Sequence, residues 1–213
     1  MMIKKNKWKL LISSIVILLP VIAGLILWER LPEKMATHWG FNSEADGWSD
    51  RPFAVLALPL IMLAVHWICV IVTAADPKNR DQTQKAVSLI FWICPFVSLF
   101  TGAIIYAAAL GMDFGMNTVL PVFMGLIFVV IGNYLPKCKQ NYTVGIKVPW
   151  ALENEENWNA THRFGGKVWV IGGVLLMLCA FLPKAVMYYV FFVIVILLPI
   201  IPTIYSYMYY RRH

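Results

Sequence analysis

A chain of 213 residues that is 60% hydrophobic and 14% charged, with a mean hydropathy of +0.70, does not describe a water-facing globule, which carries about 25% charged residues. The composition excludes a disordered chain, a collagen-like repeat and a disulfide scaffold, and it points to a membrane protein. The net charge of +7 reads as membrane topology and not as direct nucleic-acid binding.

The basic segment 1–9 resembles the start of a signal peptide, but the run behind it, 10–28, ends in Trp28, Glu29 and Arg30 without a small-residue cleavage site. It reads as a retained first transmembrane helix. An outer loop follows over 29–51, with His38, Trp39, Glu44, Asp46, Gly47 and Asp50 as its candidate recognition residues. Asn42, Glu44, Asp46 and Gly47 fall at the first, third, fifth and sixth positions of a calcium loop, yet the twelfth is Phe53 and not a bidentate Glu. A turn in which Asn and Asp bond the nearby backbone and Gly47 takes a positive φ explains the same letters without metal.

The second run, 52–75, contains His66, the only titratable side chain inside any run, which reads as a packed, hydrogen-bonded histidine. Runs 86–112 and 114–136 follow a short charged linker. Gly125 and Gly132 lie seven apart, as do Gly165 and Gly172 and Gly166 and Gly173, a spacing that lets helix backbones approach. Gly111 and Gly115 sit in an outer turn with Asp113 and are not a dimer motif. Pro20, Pro59, Pro95, Pro199 and Pro202 are tolerable wherever neighbours satisfy the carbonyls they free.

The cytoplasmic loop 137–167 is the longest segment outside the runs. Its second half reads as a short helix, with Glu153, Glu155 and Glu156 near the start and His162, Arg163 and Lys167 near the end complementing the helix dipole. Leu152, Trp158 and Phe164 are expected to face the bilayer, making it an interfacial helix that feeds the fifth run, 168–183. Asn141, Trp150, Trp158 and His162 are expected to fold as one unit against the ends of the fourth and fifth helices. The sixth run, 185–210, ends in a tyrosine belt before Arg211 and Arg212.

The six runs are 19, 24, 27, 23, 16 and 26 residues long, against about 20 needed to span a bilayer. The fold class is therefore an all-α membrane protein, a six-helix transmembrane bundle. With the N-terminus inside, 14 of the 18 basic residues lie in the cytoplasm, all but Arg30, Lys34, Arg51 and Lys184. Both termini then face the cytoplasm, and the outside keeps Glu29, Glu33, Glu44, Asp46, Asp50 and Asp113. No cysteine faces outside and no C-x-x-C spacing occurs, so neither a disulfide nor a zinc site is indicated. No nucleophile elbow, H-E-x-x-H or paired intramembrane carboxylate accompanies His162, so no catalytic residue, metal or cofactor is assigned.

The loop motifs carry a family likeness. Gly132-Asn133-Tyr134-Leu135-Pro136, then Asn141 with Gly145-Ile146-Lys147-Val148-Pro149-Trp150, then Trp158, Thr161-His162 and Gly165-Gly166 resemble the signature of the SdpI family of bacterial membrane proteins. That family reads G-N-x-x-P, N-x-x-x-G-I-R-x-P-W-T and W-x-x-T-H-x-x-G-G, so Lys147 replaces the commoner Arg and Ala151 the commoner Thr. Leu31-Pro32, Thr37-His38, Asp46 and Gly47 are similar to a small uncharacterised domain often fused ahead of it. The resemblance divides the chain into an N-terminal membrane domain over 1–80 and an SdpI-like domain over 81–213. It implies an immunity protein that protects the cell from a secreted peptide toxin at the outer face. It also implies a signal transducer that sequesters a soluble transcriptional repressor at the cytoplasmic face. The competing reading is a small-molecule or lipid-handling carrier, or an envelope-stress protein, on the same scaffold.

Overall fold

The computed structural model describes residues 2–40, 44–112 and 115–212. The readings placed on Asn42 and Asp113 lie outside it, as do the side chains of Arg80 and Asp81. After a one-turn helix at Met2–Lys5 come α1 (Lys7–Ile26), the strands β1 (Lys34–Trp39) and β2 (Ala45–Asp50), and α2 (Leu58–Ala75), which continues a π-type stretch over Phe53–Ala57. Then follow α3 (Gln84–Ala109), α4 (Met116–Tyr134), the short α5 (Pro149–Glu153), α6 (Glu155–Cys179) and α7 (Lys184–Arg212). Among the described residues six helices are long and apolar enough to cross a membrane, as the six uncharged runs require. The chain is an all-α multi-pass membrane protein with one small hairpin.

Two compact units divide the chain: Met1–Ala74 with Ile90–Gly115, and Ala75–Leu89 with Met116–His213. In the first, Leu31, Met35, Ala54, Val55, Ile105 and Tyr106 form the buried cluster on which the hairpin sits. Arg51 fastens its base, donating from Nη1 to the carbonyls of Trp28 and Leu31 at 2.6 and 3.0 Å and lying over the Trp28 ring. Deeper in this unit, two neighbouring residues of α2 meet two of α1. His66 Nε2 bonds Ser13 Oγ at 2.9 Å and Trp67 Nε1 donates to Ser14 Oγ at 3.2 Å. Ser13 gives its own proton to the Leu10 carbonyl, so His66 is the donor of its pair. The packed, hydrogen-bonded reading of His66 is met.

The hairpin corrects one expectation. Gly47 does not take a positive φ in a turn; it lies within β2 opposite His38, where a Cβ would come within 2.9 Å of the His38 Cβ. Close strand approach at a register shift is what needs glycine there. Asp46 bonds the His38 ring.

In the second unit, the glycines spaced by seven do the packing they suggested. A Cβ on Gly132 would sit 2.9 Å from the Gly166 carbonyl, and one on Gly166 2.7 Å from the Gly132 carbonyl. Gly125 and Gly173 repeat the arrangement two turns along, so α4 and α6 touch backbone to backbone. Pro202 cannot donate to the Leu198 carbonyl four residues before it, and Trp169 Nε1 from α6 fills that vacancy at 2.9 Å.

α6 holds the main departure from expectation. The 155–167 stretch is not a helix of its own; Glu155–Cys179 is a single helix of 25 residues, capped by the Asn154 side chain on the Asn157 N–H at 2.9 Å. Trp158 does not face the bilayer. It is 0% exposed inside the protein, and Phe164 stacks on Tyr205 of α7 at 4.2 Å. Trp158 and Phe164 are spent on internal packing, and the exposed apolar residues of the helix, Ile171, Val174, Leu175 and Leu178, lie further along it.

Candidate functional site

The segment between α4 and α6 has little regular structure, yet its polar groups are nearly all accounted for inside the protein. Asn141 is fully buried and makes a closed turn of its own. Its Nδ2 donates to the carbonyls of Lys139 and Val144 at 2.8 and 2.9 Å, and its Oδ1 accepts from the N–H groups of Thr143 and Val144 at 2.9 and 2.6 Å. A buried amide so satisfied fixes the backbone around it.

The chain then passes under α6. Trp158 donates from Nε1 to the Cys138 carbonyl at 2.8 Å and stacks on His162 one turn later, with ring centroids 4.0 Å apart. His162 accepts the Ile146 N–H on Nε2 at 3.0 Å, so Nδ1 must carry the proton that it gives to the Trp158 carbonyl at 2.8 Å. His162 is thus a neutral Nδ1–H imidazole committed at both nitrogens. That geometry suits a structural bridge and leaves no free nitrogen for general-base work. Gly145 has φ +117°, and a Cβ there would overlap His162 Nε2. Burial pushes the Cys138 thiol up to about 11.

Sequence reasoning missed Asp76, which immediately follows α2. Its carboxylate is buried and is held by neutral donors. Oδ2 accepts from the Tyr142 N–H at 2.7 Å, from Thr143 Oγ1 at 3.2 Å and from Asn79 Nδ2 at 3.2 Å, while Oδ1 caps the Lys78 N–H at 2.9 Å. Around it, Asn79 Nδ2 reaches Thr143 Oγ1 at 2.6 Å, Lys78 Nζ donates to Gln140 Oε1 at 3.0 Å and lies over the Tyr142 ring, and Thr83 Oγ1 donates to the Lys137 carbonyl at 2.9 Å. Gln140 in turn caps the end of α5 through the carbonyls of Ala151 and Leu152. An Asp after a span reads from sequence as a solvated helix end; only its partners, more than 60 residues away, reveal the latch.

The other motif residues are distributed as follows. Thr161 is buried and donates to Asn157 Oδ1, and Asn157 exchanges hydrogen bonds with Ser206 of α7, which ties α6 to α7. Gly165 faces Ile146 and Pro202, and Gly166 faces Gly132 and Pro136. Pro149 opens α5. Trp150 lies against Tyr207 and Tyr210 of α7, centroids 5.3 and 6.4 Å away. Asn133 is exposed at the end of α4.

In the hairpin, the alternation of the strands puts Lys34, His38, Asp46, Trp48 and Asp50 on the outward face. Trp48 is 58% exposed and stands between the Lys34–Asp50 ion pair at 2.6 Å and the His38–Asp46 hydrogen bond at 2.5 Å. The opposite face buries Met35 and joins Thr37 to Ser49 at 2.9 Å. Trp39 packs partly against the core cluster and belongs to that inner side. The Glu44 carbonyl accepts the Gly40 N–H. Among the described residues no cluster of three or more His, Cys, Asp or Glu is arranged to hold a metal.

Comparison with known proteins agrees with the motifs. Residues 137–206 match the SdpI/YfhL protein family, and residues 15–63 match a domain of unknown function, DUF1648. The chain is 26% identical over 210 residues to the immunity protein SdpI of Bacillus subtilis (strain 168), covering 98% of this chain and 97% of that protein. No solved structure matches the chain. The likeness to the SdpI family drawn from the loop motifs is thereby supported along nearly the whole length, hairpin and buried loop included.

Proposed function

We propose, from end-to-end similarity to an immunity protein, that this chain protects the cell that carries it from a secreted peptide toxin. That similarity, 26% identity over 98% of the chain, is the observation that carries the reading. The distribution of basic residues argues for the hairpin on the outside and for the 137–167 segment and both termini in the cytoplasm. The exposed Trp48, between the Lys34–Asp50 ion pair and the His38–Asp46 hydrogen bond, is suited to an amphipathic peptide at the outer interface, offering an aromatic anchor and charges of both signs.

The same protein also signals inward in this reading, by holding a soluble transcriptional repressor at the cytoplasmic face. Phe53–Ala75 is 23 residues of unbroken helix, about 34 Å and enough to cross a bilayer. It begins three residues after β2 ends and is followed directly by Asp76. A shift of that helix on toxin binding is felt at the Asp76 latch, and through it at the 139–146 turn. Toxin acts through this route only if it binds the two positions of the helix with different affinity.

The test is survival. A sensitive host expressing the chain should tolerate the secreted peptide encoded nearest its gene. Unchanged killing, with the protein present in the membrane, would favour a small-molecule or lipid-handling carrier instead.

A further inference from the structure

A pocket of about 430 Å³ opens in the second unit, lined by Pro136 after α4, by Glu156, Asn159 and Arg163 of α6 and by Tyr209 of α7. Positions 156, 159 and 163 are separated by three and four residues and form one stripe of the helix. None of the three has a hydrogen-bond or ion-pair partner among the described residues, so a guanidinium, an amide and a carboxylate all face the same open space.

The depth of the pocket indicates the ligand. α4 gives way to charge at Lys137, just after Pro136, and α7 does so at Arg211, two residues after Tyr209. The apolar half of α6 starts at Val168, five residues or about 7.5 Å along the helix from Arg163. Three spans thus pass from apolar to charged around this one pocket, which is the level of lipid headgroups.

The lining also restricts headgroup chemistry. Arg163 presents the planar fork that pairs with a phosphate through two hydrogen bonds, and Asn159 offers a further donor to its oxygens. Glu156 lies two turns from Arg163, about 10.5 Å along the axis, and accepts hydrogen bonds only. It repels a second negative charge and is satisfied by an N–H-bearing cation, which a quaternary ammonium is not.

We propose that this pocket binds a phosphoethanolamine headgroup, with the phosphate on Arg163 and the primary ammonium toward Glu156. The ligand is a membrane lipid, and the site is separate from both the hairpin and the Asp76 latch. It stands or falls independently of the toxin reading.

The test is native mass spectrometry of the full chain released from detergent with added phosphatidylethanolamine, phosphatidylglycerol or phosphatidylcholine. The ethanolamine lipid should be retained one per chain and about tenfold more tightly than the other two. Arg163→Gln should weaken it about tenfold, and Glu156→Gln should abolish the preference over the choline lipid while binding persists. Both side chains are exposed, so neither change removes a buried contact. Equal retention of the three lipids, or an Arg163→Gln protein that binds as the parent does, would overturn the proposal. Soluble phosphoethanolamine should compete only weakly; competition at the concentration of the lipid itself would overturn the assignment to a lipid.

Discussion

Gly145 and His162 approach so closely that no side chain larger than hydrogen fits at position 145 without displacing the imidazole. The same backbone has φ +117°, a region that costs a residue with a Cβ about 1–3 kcal/mol. Gly145→Ala should therefore destabilise the second unit by at least that much. Thermal unfolding of the detergent-solubilised protein measures it. Because part of the loss is a clash with the ring, the double variant Gly145→Ala with His162→Ala should be less damaged than the sum of the single ones. Strict additivity would show that the two residues do not meet as described.

Asp76 should not tolerate replacement by its own amide. Oδ1 faces the Lys78 N–H and Oδ2 faces the Tyr142 N–H, so in either orientation an asparagine NH₂ is turned against a backbone donor. Asp76→Asn should cost about 1–3 kcal/mol for the group left unsatisfied and should open the 139–146 turn to protease. If the variant resists limited proteolysis as the parent does, the latch contributes nothing to holding that turn.

How much of this was legible beforehand divides by the range of the signal. The six spans were readable because a bilayer needs a long charge-free run, and such a run is local in sequence. The glycines at intervals of seven likewise announced a close helix contact before any partner was known. The hairpin was not readable, since its strands mix Thr, His, Gly and Asp without a clean alternation of apolar and polar residues. The polar loop was recognised through its motif but not understood: of the residues expected to fold together, Trp158 and His162 stack on each other, Asn141 closes a turn with Lys139, Thr143 and Val144, Trp150 packs on α7, and Trp158 turns inward. Asp76 was overlooked because its partners Tyr142 and Thr143 lie 66 and 67 residues away, and no local pattern encodes them. The Asn157–Ser206 pair was hidden for the same reason.

Cys138 offers a pH-dependent check on the burial of the loop. With its pKa raised to about 11, the thiol stays protonated throughout the neutral range, and only the thiolate is nucleophilic. About one part in a thousand is thiolate at pH 8. Alkylation of Cys138 in the folded protein should be very slow at pH 8, accelerate as the pH approaches 11, and become rapid at pH 8 once the protein is denatured. Peptide mapping after timed alkylation follows it; fast modification of the native protein at pH 8 would mean that the loop is open.

Sidedness is testable by adding single cysteines to a background lacking the four native ones. Glu33 and Glu153 are both exposed, the first beside the hairpin and the second at the end of α5. A cysteine at Glu33 should react with a membrane-impermeant maleimide in intact cells, and one at Glu153 only after permeabilisation. The reverse pattern would invert the proposed topology.

The hairpin face makes the final prediction. Its acids are already partnered, Asp50 by Lys34 and Asp46 by His38, so its attraction for a cationic peptide is smaller than a count of carboxylates suggests. Trp48, at 58% exposure, is the larger contact on offer, and exposed aromatic anchors of this type dominate peptide interfaces. Trp48→Ala should accordingly reduce protection against the cognate peptide about tenfold or more. Hairpin and core should survive, because Met35 and the Thr37–Ser49 bond lie on the other face. Neutralising Glu44, Asp46 and Asp50 together should reduce protection less, and more at low salt than at high salt, since exposed charges are screened over about 10 Å at 0.1 M. Survival curves at two salt concentrations, with membrane abundance matched by blotting, separate the two contributions. Full protection by Trp48→Ala would remove the outward face of the hairpin from the recognition surface.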